Sequence, residues 1–216
     1  MIALDAIAAQ RVIPVVRCAD ARDAVLTARA AAAAGMRVVE LTLTTPGVHG
    51  ALHELRGDGL VLGLGSLRSA ANVVPAVEAG AQFVVSFASV RGLVDAAHEL
   101  SVAAVQGALS PTEILATERA GADAVKVFPA RVVTPAYLRD LDAVLPGLRL
   151  IPTGGIEPRA ARAWLDAGAW AVGLGAALGT VARIGAAEVE RRCREALRLS
   201  RPPAETEGSS RHGATL

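Results

Sequence analysis

With 216 residues, 52% of them hydrophobic, the chain has room for one large core, and at only 3% aromatic that core must be built from Ala, Val and Leu. The 22 basic residues nearly cancel the 21 acidic ones. A net charge of +1 gives no electrostatic reason to expect nucleic acid or an anionic membrane as partner.

The opening MIALDAIAAQR lacks the basic-then-apolar pattern of a signal peptide. The first strand is expected over 12–17 (VIPVVR). Asp20, three residues before Asp23, is then placed to start a helix. That helix runs through alanine-rich Ala28–Ala34 and stops at Gly35, because a glycine just past a helix takes the left-handed conformation that ends it. The β-branched run RVVEL follows and favours a strand. The same stop and restart recurs at Ala79-Gly80, Ala120-Gly121 and Ala167-Gly168, each before a Val-rich run. Ser110-Pro111-Thr112-Glu113 adds a capping box with proline at the first helical position.

These signals predict strands over 12–17, 37–43, 60–65, 82–86, 101–106, 123–128, 148–153 and 170–175. Helices fill the gaps, and a last one covers about 186–199. Eight alternating strand and helix units argue for an α/β fold, a (β/α)8 TIM barrel with a parallel eight-stranded sheet, as a single domain over 1–200. An open doubly wound sheet would want a Gly-rich turn after the first strand, where Arg17-Cys18-Ala19-Asp20 stands instead. The polar, Pro/Gly/Ser-rich stretch 201–216 reads as a disordered tail. No apolar run reaches the ~18 residues of a membrane span. Cys18 and Cys193 are too isolated for a disulfide framework, which favours a reducing, cytoplasmic setting.

Alternation along the second strand sends Val39, Leu41 and Leu43 outward and Val38, Glu40, Thr42 and Thr44 inward. Lys126 sits between Val125 and Val127 in the sixth strand. A buried Glu and a buried Lys are each costly without a partner or a task. They can form a structural ion pair. They can also do chemistry: an amine withdrawn from water loses its proton more readily and attacks carbonyls, and a nearby carboxylate moves protons. Pro152-Thr153-Gly154-Gly155-Ile156 ends the seventh strand and Gly173-Leu174-Gly175-Ala176 the eighth. These loops are where barrels commonly bind phosphate, and glycine there bares the backbone N–H groups to an anion.

His49 and His53, four apart on a helix, have no third metal ligand nearby and read as a solvated face. Cys18 has no evident base to make it a nucleophile.

The stretches VIPVVR (12–17), VVELTLT (38–44), GLGSL (63–67), VKVFPA (125–130) and PTGGI (152–156) keep a shared order and spacing across about 11–185. Through them the chain resembles the 2-keto-3-deoxy-6-phosphogluconate aldolases and their 6-phosphogalactonate and 4-hydroxy-2-oxoglutarate relatives. The resemblance implies a class I aldolase without metal or organic cofactor, acting on a small 2-oxo acid and assembling as a homotrimer. It implies Lys126 as the Schiff-base lysine and Glu40 as general acid/base. Ser66 stands where a threonine holds the 2-oxo acid's carboxylate, with Thr44 beside it. Arg17 matches an anion-binding arginine of the galactonate-type relatives, which favours phosphate as its ligand. Thr153, Gly154, Gly155, Gly175 and Ala176 complete the substrate site. Thr44 replaces an Arg or Asn, Ala176 a phosphate-binding Ser, Phe87-Ala88 a Pro-Gly or Pro-Asn, and Val133-Thr134 a Gly-Gly. A phosphosugar isomerase or epimerase on the same barrel, or a non-catalytic relative that binds 2-oxo acid or phosphate, are the competing readings.

Overall fold

The computed structural model describes residues 2–201, and the stretch 202–216 of the expected tail lies outside them. The chain opens with α1 (Ile2–Gln10), β1 (Val12–Val16), α2 (Ala21–Ala33), β2 (Val38–Thr42) and α3 (Val48–Leu55). β3 (Val61–Leu67), α4 (Val73–Ala79), β4 (Phe83–Ser86), α5 (Leu93–Glu99) and β5 (Ala103–Ala108) follow. Next come α6 (Pro111–Arg119), β6 (Ala124–Val127), α7 (Pro135–Val144), β7 (Leu150–Pro152) and α8 (Ala161–Asp166). β8 (Val172–Leu174), α9 (Val181–Ile184) and α10 (Ala186–Ser200) complete the described elements.

The strands are parallel neighbours in the order β7-β6-β5-β4-β3-β2-β1-β8. A single bridge between Thr153 and Gly173 joins the two ends of that order. The result is a (β/α)8 TIM barrel. The helix punctuation is as the sequence expects. Gly35 and Gly80 carry φ of 98° and 118°. Ser110 accepts from Glu113 N–H while Glu113 accepts from Ser110 N–H, and Asp20 caps α2 by accepting from Asp23 N–H.

Alternation along each strand sorts the core into two clusters. Val39, Leu41, Val125 and Val127 face outward to the helices. Ile13, Val38, Phe83, Val105 and Ile151 fill the lower barrel interior. α1, which the sequence reading does not foresee, closes the bottom by setting Leu4 and Ile7 against that interior. Buried Gln10 fastens it: its amide donates to Val12 O at 2.6 Å and Val38 O at 2.9 Å, and accepts from Val38 N–H at 2.9 Å.

Candidate active site

Above the lower layer the interior turns polar. Glu40 on β2 and Lys126 on β6 share the inward face of their strands with Val38 and Ala124. Both are buried, at 3% and 5% exposure. Lys126 Nζ donates to Glu40 Oε1 at 3.1 Å and lies 3.5 Å from Oε2. Neighbouring glycines leave the space. A Cβ on Gly65 would collide with the Glu40 carboxylate, and one on Gly63 with the Phe83 ring. The GLG run of β3 therefore exists for its neighbours' side chains.

Past Gly65 the strand bulges. Leu64 pairs with Val84 and Leu67 with Ser86, three residues against two. The extra residue lets Leu67 keep an outward, buried place and re-aims Ser66, whose φ is 66°. Such a backbone is uncommon for a residue other than glycine and clusters at functional sites.

A cleft of about 320 Å3 opens over Lys126 at the carboxyl ends of the strands. Val15 and Arg17 line one wall, and Thr153, Gly154, Gly155, Gly175 and Ala176 line the β7–β8 side. Thr153, buried, donates its hydroxyl to Ile151 O at 3.2 Å and fits against Gly173, where a Cβ would strike it. Arg17 stands just past β1, and its guanidinium donates to Ser66 Oγ at 3.4 Å. The wall also holds Arg131, Arg183, Phe128, Gly179 and Thr180, which sequence reasoning does not identify.

Thr44 is placed differently from the sequence expectation. β2 ends at Thr42, so alternation no longer governs Thr44. It is exposed in the following turn, its hydroxyl 3.3 Å from that of Thr42, and it is not among the residues lining the cleft. Buried Thr45 instead accepts from Cys18 N–H at 3.1 Å, which ties the turn after β2 to the end of β1.

A sequence pattern described as KDPG and KHG aldolase matches residues 4–194. The chain belongs to that family. It is an aldolase, an aldehyde-lyase of carbohydrate metabolism. The Escherichia coli K12 2-dehydro-3-deoxy-6-phosphogalactonate aldolase is 30% identical over 149 residues, 67% of this chain and 73% of the relative. Among solved structures, the Zymomonas mobilis 2-keto-3-deoxy-6-phosphogluconate aldolase with 3-phosphoglycerate superposes with a TM-score of 0.83. It is 28% identical, over 92% of this chain and 96% of that one. The Legionella pneumophila KDPG aldolase, with pyruvate captured as a covalent carbinolamine, gives a TM-score of 0.76 at 27% identity. That match covers 91% of this chain and 95% of the other.

For a KDPG/KHG aldolase the remaining candidates are quiet. His49 and His53 are exposed on α3. Burial, reinforced by a hydrogen bond to Asp23, pushes the Cys18 thiol up to about 12, which keeps it protonated and unreactive near neutral pH. Asp23 has a supporting task. Burial opposes its charge, but the Ala182 N–H at 2.8 Å and the Thr27 hydroxyl at 3.4 Å hold the carboxyl below its ordinary value. The Thr27 hydroxyl in turn accepts from Val181 N–H at 3.0 Å. Two side chains of α2 thus fasten the start of α9, the helix that carries Arg183.

Proposed function

We propose that this aldolase works through a Schiff base on Lys126 and cleaves a 2-keto-3-deoxy sugar acid carrying a 6-phosphate. The products are pyruvate and an aldehyde such as glyceraldehyde 3-phosphate. The observation that carries this reading is one buried amine, hydrogen-bonded to one buried carboxylate, where the amine lines a cleft shared with the β7–β8 glycines. The pyruvate carbinolamine of the Legionella relative supports it.

Proton transfer along the 3.1 Å hydrogen bond leaves a neutral amine and a carboxylic acid. The amine attacks C2 of the substrate. Glu40 gives its proton to the oxygen of the resulting carbinolamine, which leaves as water, so that an iminium and the Glu40 carboxylate remain. Glu40, directly or through a water, takes the C4 hydroxyl proton. The C3–C4 bond breaks and its electrons pass to the iminium nitrogen. The aldehyde leaves an enamine, which Glu40 protonates at C3, and water then releases pyruvate from Lys126. Arg17 on the cleft wall and Ser66, hydrogen-bonded to it, would hold the 2-oxo acid's carboxylate.

Incubation with pyruvate and borohydride should add one pyruvyl mass, and peptide mapping should find it on Lys126. Lys126→Ala should abolish it. Glu40→Gln should still trap pyruvate while turnover falls by about 10²–10⁴, the usual worth of a positioned acid/base. An adduct on another residue, or none at all, overturns the reading and leaves an isomerase or epimerase as the alternative.

A further inference from the structure

Two arginines share the cleft with Lys126 and have no task in the chemistry above. Arg131 stands on the 3-10 turn Ala130–Val132 directly after β6, and Arg183 on α9 after β8. Both are exposed, and among the described residues neither forms an ion pair with a carboxylate. One such arginine on open surface is an ordinary solvated charge. Two in the same concave site concentrate field on it and draw an anion in.

The floor beside them is nearly bare of side chains. At Gly155, where φ is 82°, an added Cβ would lie 2.7 Å from the Cβ of Arg131 and 3.2 Å from its Nε. The arginine stem therefore packs directly over exposed backbone. Its own backbone is fixed to the same loop, with Arg131 N–H donating to Gly154 O at 2.9 Å. Arg183 is anchored through the bonds from Asp23 and Thr27 to the start of α9. Each guanidinium thus projects from a fastened segment.

We propose that Arg131 and Arg183 are the specificity-determining residues for the far end of the substrate, and that they bind a phosphate monoester dianion there. Ala176 has no hydroxyl to donate, and the two guanidinium forks supply the missing donors. Two planar forks can cover the several oxygens of a phosphate, whereas a carboxylate presents only two. Arg17, bonded to Ser66 on the β1–β3 side, leaves this end to the other two. The substrate named here rests on the aldolase reading; the anion site does not.

Arg131→Ala, Arg183→Ala and the double variant should be compared with the parent on one 2-keto-3-deoxy hexonate, with and without its 6-phosphate. Each single change should lower kcat/KM for the phosphorylated substrate by about 10- to 100-fold, mainly through KM, the size expected when a hydrogen bond to a charged group is lost. Turnover of the unphosphorylated substrate and borohydride trapping of pyruvate should stay within about twofold. Equal losses on both substrates, or no loss on the phosphorylated one, overturn the proposal. A parent protein that fails to trap pyruvate sinks the aldolase reading alone. The arginines are then judged by calorimetric binding of inorganic phosphate, where the double variant should bind at least tenfold more weakly and an unchanged affinity rejects the site.

Discussion

Arg17 is offered two anions by the proposed substrate, a carboxylate and a phosphate. Its match to galactonate-type relatives favours phosphate as its ligand, but its guanidinium reaches Ser66, at the carboxylate end of the proposed site. Arg17→Ala should therefore weaken pyruvate trapping about 10- to 100-fold, even though pyruvate has no phosphate. If trapping is untouched and only the phosphorylated substrate suffers, Arg17 serves the far anion instead. Lys126 and Glu40 were legible because a charge inside an apolar strand stands out against its neighbours. Arg131 and Arg183 were not, since an arginine in a polar loop looks like any solvated residue until the loop is seen over Gly155. Thr44 does not line the cleft because strand alternation stops at Thr42, the end of β2. The need for glycine at 65 depends on where Glu40 lies, a contact between strands that no local pattern encodes.

Among the elements, the strands were readable and their ends less so. β5 was expected over 101–106 and runs Ala103–Ala108, because Ser101, with φ of 58°, still belongs to the turn after α5. The β3 bulge had no sequence mark beyond GLGSL. The joint between α2 and α9 is equally hidden, since Asp23 and Ala182 are far apart in the chain and nothing local links them. Asp23→Ala removes the acceptor for Ala182 N–H and the Thr27 hydroxyl, and should cost about 1.5–3 kcal/mol near neutral pH by thermal or urea denaturation. The sign of its pH dependence follows from the lowered carboxyl. The folded value lies below the ordinary aspartate value of 3.8, so the Asp23 contribution is full above about pH 4 and fades as pH falls through the folded value. The gap between parent and variant should close over that same acidic window. A gap of constant size down to pH 2 would mean that the charge of Asp23 adds nothing to the joint.

For the whole molecule, eight recurring units made the barrel legible, while the helix beneath it was missed. Residues 2–10 are too uniformly apolar to show one face, and the bonds that seat the helix run from Gln10 to β2, 28 residues away. That helix makes the catalytic chamber a cul-de-sac. With Leu4, Ile7 and Phe83 filling the space below, traffic to and from Lys126 passes through the upper opening alone. On the proposed mechanism the product bonded to Lys126 would lie deepest, and the aldehyde, drawn toward the arginines, would lie between it and the exit. Departure would then be sequential, aldehyde first and pyruvate last. Steady-state product inhibition should show it: pyruvate competing with the sugar acid for free enzyme, and the aldehyde inhibiting noncompetitively. Competitive inhibition by both products would mean that the two leave in either order.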